Sequence, residues 1–160
     1  MTDPGASRVL VSNRIDAAPE RVFRAFTDEI SLWWQPSTLF RFTKGPPGTL
    51  RFVPGEDACL VETKPDGTEF VVGEVRLWDP PHRVVLSWRE DSFDEDQETE
   101  LHVRFDAVDR GTRVTVEHFG WDGIPIDHVA RHGFELTVFQ RRFAEWFQAL
   151  LAGLRVIAEQ

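Results

Sequence analysis

The sequence predicts an α+β domain: a curved, mostly antiparallel sheet of about seven strands, two short helices after the first strand, and a long C-terminal helix. Three observations carry that expectation. Seven stretches between Arg8 and Gly120 alternate in polarity or are rich in β-branched and aromatic residues, and turn residues separate them. The apolar residues of "RVFRAFTDEISLWWQP" (Arg21–Pro36) recur at gaps of three and four, as one buried helical stripe requires. From about Asp127 onward the period turns helical again, with Val129, His132, Leu136, Phe139, Phe143, Trp146, Leu150 and Leu154 on one stripe.

Taken in order, "RVLVSNRID" (Arg8–Asp16) alternates and reads as the first strand. Pro19 suits a first helical position and Glu20 the positive end of the helix dipole, so a helix should run from about Pro19 to Thr27. A second short helix should start at Asp28 or Ser31, carry Trp33 and Trp34, and stop before Pro36. Neighbouring residues on a helix point about 100° apart, so one wall takes one indole and hardly two. Either the chain bends there or the second indole faces something other than the main core.

"GTLRFV", "ACLVET", "TEFVVGEVRLWD", "PPHRVVLSWRE", "TELHVRFDAVD" and "TRVTVEHFG" follow as six strands. "KPDG" and "DRG" between them favour tight turns. The acidic stretch Glu90–Glu100 fits a solvated hairpin loop. The final helix could reach about 30 residues, roughly 45 Å. Consecutive hairpins make an antiparallel sheet, and its apolar face needs that helix as a cover. The 160 residues suit a single domain, with a core from 8 to 156 and no internal repeat.

Composition narrows function. The net charge is -9 and no Lys/Arg-rich run appears, which argues against nucleic acid or anionic membrane as a partner. No stretch approaches the roughly 20 apolar residues of a membrane span. "MTDPGASRVLVSN" lacks the apolar run of a secretory signal. The one cysteine, Cys59, cannot form an internal disulfide, and a cytoplasmic location is expected. Six Trp and thirteen Phe without a Tyr imply a large, greasy interior.

"APERVFRAFTDEISLWWQP", "GEVRLWDPPHRVVLSW", "HFGW" and "HGFELTVFQRRFAEWFQALL" together resemble the family of activators of heat-shock protein 90 ATPase homologues. That family lies within the SRPBCC superfamily of START-like, birch-pollen-allergen-like proteins. The resemblance runs from about Arg8 to Leu154. It departs from the family pattern at Pro46–Gly48, at Gly133-Phe134 and in the acidic loop. It implies a helix-grip fold: a curved antiparallel sheet wrapped around the long terminal helix, two short helices closing one end, and a cavity between sheet and helix. It implies less about function: relatives elsewhere in the superfamily bind lipids, hormones or polyketides, and some are cyclases or hydrolases.

Within such a fold, Trp34, Phe42, Phe52, Trp88, Trp121, Phe134, Phe139 and Phe143 come from different elements and should converge on that cavity. His118 shares a strand face with Val114 and Val116, so it is an imidazole in line with buried positions. Glu74 shares a face with Phe70, Val72, Arg76 and Trp78. The opposite face, with Val71, Gly73, Val75 and Leu77, looks better buried, which puts Glu74 outside unless Gly73 marks a bulge. His128 and His132 have the spacing of a metal pair, but two histidines alone are a weak signal, and neither a metal nor another cofactor is expected. No nucleophile elbow, phosphate loop or dinucleotide fingerprint is present.

The first expectation is therefore a binding protein for a small apolar or aromatic molecule, with His118 and Glu74 orienting the guest. A cyclase- or hydrolase-like enzyme using the same cavity is one alternative, though no catalytic residue is assigned. A chaperone-associated interaction domain docking through the acidic loop is another. The oligomeric state stays open, a homodimer included.

Overall fold

The computed structural model describes residues 7–160. Residues 1–6, part of the segment read as lacking a secretory signal, lie outside the described residues. The element order is β1 (Arg8–Ile15), α1 (Pro19–Thr27), α2 (Ile30–Trp33), β2 (Thr49–Val53), β3 (Cys59–Thr63), β4 (Glu69–Asp79), β5 (Arg83–Trp88), β6 (Thr99–Val108), β7 (Gly111–Phe119) and α3 (Leu136–Ala158). Short 3-10 turns at Trp121–Gly123 and Val129–Arg131 lie between β7 and α3. The seven strands form one antiparallel sheet in the order β1-β7-β6-β5-β4-β3-β2. This is the helix-grip arrangement expected from the sequence.

Helix α3 starts nine residues later than the periodicity suggests. His132 and Gly133 both have positive φ, 53° and 74°, and an α-helix cannot run through two left-handed residues. The helix therefore has 23 residues, about 34 Å. Its inner stripe of Phe139, Phe143, Phe147, Leu150, Leu151 and Leu154 is buried, whereas Val129 is exposed. Arg131 anchors the connecting segment from inside: its guanidinium donates to the carbonyls of Ile124 and Phe134, at 2.7 Å each.

The paired tryptophans divide their work. Trp33 closes α2, is buried, and donates from Nε1 to the Ala25 carbonyl at 2.9 Å. Trp34 is already extended (φ -71°, ψ 130°) and only half-buried. The chain bends between them, so each indole faces its own wall.

Strand β4 carries two irregularities. Its pairing with β3 jumps between Leu60/Gly73 and Val61/Val71, and its pairing with β5 jumps between Val75 and Leu77. The first is the bulge that Gly73 suggested. A Cβ at Gly73 would lie 1.6 Å from the Ser87 carbonyl oxygen, so glycine alone permits this crossing. Val72 points into the core, while Val71 and Leu77, expected on the better-buried face, are exposed. Two bulges break the alternation, and a strict two-residue period misreads the strand.

Candidate functional site

Seven of the ten residues expected to line a cavity do converge. Trp34 stacks on Phe42 with centroids 5.7 Å apart, and Phe42 lies 4.8 Å from Trp88. Trp88 meets His118 at 5.0 Å, His118 meets Phe143 at 4.8 Å, and Trp121 meets Phe139 at 4.7 Å. These rings occupy the space between sheet and α3 themselves. Phe42, Trp88, His118, Trp121, Phe139 and Phe143 are all buried, and none of the cavities described below lies among them.

His118 sits at the centre with no exposure to solvent. Nε2 and the Thr99 hydroxyl share a hydrogen bond of 2.7 Å, and Nδ1 has no partner. Burial, with a smaller contribution from the positive charge that His102 can carry, lowers the imidazole pKa to about 3. It stays uncharged at neutral pH and is a feeble base. The indole N–H groups of Trp88 and Trp121 are likewise buried without an acceptor.

The other three residues lie elsewhere. Phe134 is half-buried at the start of α3, within 6.4 Å of His132 and 6.0 Å of the Arg142 guanidinium. Glu74 is on the outer face of the sheet, in a groove of about 330 Å³ with Ser87, Arg89 and Glu98. The bulge beside it does not turn it inward: Glu74 pairs with Cys59, while Leu60, opposite Gly73, is the residue that enters the core. Phe52 walls a different space. With Val53, Pro54, Ala58 and Trp78 it forms an apolar cleft of about 210 Å³, and Asp28, between α1 and α2, is the charged residue on its rim. Trp78 stays 43% exposed here, packed edge-on to Phe23 at 5.3 Å and 5.8 Å from Phe52.

A further cavity of about 120 Å³ lies where the loop after α2 meets the acidic loop and the segment before α3, with Arg41, Lys44, Glu90, Asp91, Ala130 and His132 among its walls. Glu90, read from sequence as solvated, is 8% exposed. Burial, reinforced by the negative charge of Asp91, pushes its pKa up to about 8. Phe93 from the same loop is also buried, edge-on to Trp121. His128 and His132, four apart in sequence, go separate ways: His128 accepts from the Ala130 N–H and contacts the Ser92 carbonyl, while His132 contacts the Leu39 carbonyl. Among the described residues no group of three or more His, Cys, Asp or Glu is placed to hold a metal, and no helix is long and apolar enough to cross a membrane.

Residues 16–159 match the family described as Activator of Hsp90 ATPase homolog 1-like protein. The chain belongs to this family. No curated protein matches it in sequence. Among solved structures, protein MLL2253 from Mesorhizobium loti is 18% identical, with 94% of this chain and 95% of that one covered and a TM-score of 0.62. A Rhodobacter sphaeroides protein is 22% identical over 94% and 91%, with a TM-score of 0.58. Both likenesses concern the fold. Txn09, an anthrahydroquino-γ-pyrone synthase complexed with SUM, is 30% identical over 86% of this chain and 87% of its own, with a TM-score of 0.51.

The sequence pattern did not reveal two features of this chain: the Trp78 cleft and the Glu90 cavity. A signal existed for the first, since Trp78 and Phe52 both stand close to turns rich in Pro and Gly, where rings are seldom sealed. Glu90 gave none, because a lone Glu in an acidic run looks like its neighbours.

Proposed function

We propose that this member of the family binds a small aromatic molecule in the cleft lined by Phe52 and Trp78. One observation carries the reading: two rings present open surface to an otherwise apolar cleft, whereas the rings between sheet and α3 are spent on each other. An aromatic guest would cover the free indole surface at about 25 cal/mol per Å², so roughly 100 Å² of covered apolar area contributes about 2.5 kcal/mol. Stacking or edge-on contact adds about 0.5–1.5 kcal/mol. The Asp28 carboxylate gives the guest one polar anchor, an acceptor for a hydroxyl or amine. The likeness to a synthase named for a fused aromatic product supports a flat, multi-ring guest.

That same likeness favours a second reading, a cyclase-like reaction. His118 cannot serve it as an acid–base group, being sealed and uncharged. Asp28 is the group at the cleft that could.

Titration with 1-naphthol tests the binding reading. Saturable quenching of tryptophan fluorescence is expected, largely lost in Trp78→Ala and weakened in Phe52→Ala. Absence of saturable quenching, or quenching unchanged in Trp78→Ala, defeats it.

A further inference from the structure

The Glu90 cavity is separate from that cleft. It is built from the loop after α2 (Thr38–Lys44), from Glu90–Ser92, and from the Val129–His132 segment. The main chain on either side of Glu90 is held in place. The Arg89 N–H is tied to the Val72 carbonyl at 2.9 Å and the Asp91 N–H to the Phe42 carbonyl at 2.7 Å, so the backbone is pinned on both sides. Glu90 as a residue is only 8% exposed and its carboxyl makes no hydrogen bond to a described side chain or backbone group, but the carboxyl oxygens are not sealed: what exposure remains lets them face the open space. The space it faces, about 120 Å³, far exceeds the roughly 30 Å³ share of one liquid water.

Charge decides what would fill that space. Arg41 and Lys44 face it from the first loop, Asp91 from the second, and His132 from the third. Asp91 Oδ2 already accepts the Lys44 backbone N–H at 3.0 Å, and the His132 Nε2 is engaged by the Leu39 carbonyl. Burial keeps the Glu90 carboxyl uncharged at neutral pH, since its pKa is about 8. It is then a hydrogen-bond donor without an acceptor, and the remaining walls carry two cations against one anion.

We propose that this cavity is a binding site for a small organic anion, whose carboxylate or phenolate oxygen accepts a hydrogen bond from the Glu90 carboxyl while Arg41 and Lys44 balance its charge. A carboxylic acid kept neutral by its surroundings so that it can donate is an established device in enzyme sites. The Arg41 and Lys44 side chains, both exposed, meet the anion at the mouth.

Benzoate is the probe, followed by amide chemical shifts of the full chain, with benzamide as the uncharged control. Saturable binding is expected at neutral pH, moving amides of 38–44, 90–92 and 129–132 rather than those around Phe52. Because the donor is lost as Glu90 ionises, affinity should fall about tenfold between pH ~7 and pH ~9. Glu90→Gln, which keeps a donor and no charge, should retain binding and lose this pH dependence; Arg41→Ala should weaken binding several-fold. No saturable benzoate binding, equal affinity at both pH values, or benzamide bound as tightly as benzoate overturns the proposal. The pH and benzamide measurements need no variant, so a variant that fails to fold does not protect it. Failure here leaves the naphthol result at Trp78 untouched, and the reverse holds too.

Discussion

His118 and Glu90 are both buried, and both are uncharged at neutral pH. Their surroundings differ in kind. His118 has a hydrogen-bond partner in Thr99 and rings packed against it, while Glu90 has neither a partner nor a filled space before it. Desolvation alone moves a pKa in either setting. What separates a structural buried group from a group poised to act is open volume with chemistry around it. By that criterion the histidine belongs to the core, while the glutamate faces the open volume that the proposal needs.

The largest effect that would break this contrast is a truncation beside His118. Phe143→Ala should cost about 3–5 kcal/mol in urea unfolding, as expected where a ring is removed from a close-packed core. A cost below about 1 kcal/mol would mean that the centre is loosely filled and that the distinction between the two regions fails.

The pH dependence of stability sharpens it. The Glu90 pKa is raised in the folded state, from 4.5 to about 8. Its contribution is therefore full below about 4.5 and is lost as pH rises through 8. The His118 pKa is depressed, from 6.5 to about 3. Its contribution is present above about 6.5 and is lost as pH falls towards 3. Each should amount to a few kcal/mol at most. Unfolding curves across that range should show stability falling on both sides, with Glu90→Gln flattening the alkaline limb and His118→Phe the acid limb. An alkaline limb unchanged by Glu90→Gln would place the carboxyl in solvent.

The smallest effect lies on the cavity side. Val129 is 65% exposed and lines the Glu90 space. Val129→Ala should change stability by less than about 0.5 kcal/mol. A larger loss would show that this wall is packed like the region around His118.

Most of the fold was legible because it rests on local pattern. Pro19–Thr27 is bounded by a proline at its start and an apolar stripe, and its limits match the expectation. The seven strands follow from alternation and turn residues. Where the pattern misled, a backbone irregularity intervened: the left-handed pair His132-Gly133 delayed α3, and two bulges broke the alternation of β4, exposing Val71 and Leu77 and burying Val72. The convergence of Trp34, Phe42, Trp88, His118, Trp121, Phe139 and Phe143 was also legible. Whether their volumes fill the interior was not, since that depends on how side chains from distant elements interdigitate. Glu90 was hidden for a related reason: the walls around it come from segments 38–44 and 129–132, about forty to fifty residues away on either side in sequence.

The crowded crossing of Gly73 over the Ser87 carbonyl has a mechanical consequence. It creases the sheet, leaving β2, β3 and the first half of β4 as a leaf attached to the rest along one strand. That leaf is braced from beneath by α2, whereas α3 packs chiefly on β1 and α1. Any side chain at residue 73 would collide with the Ser87 carbonyl, so a substitution there would push the two parts of the sheet apart at the crease.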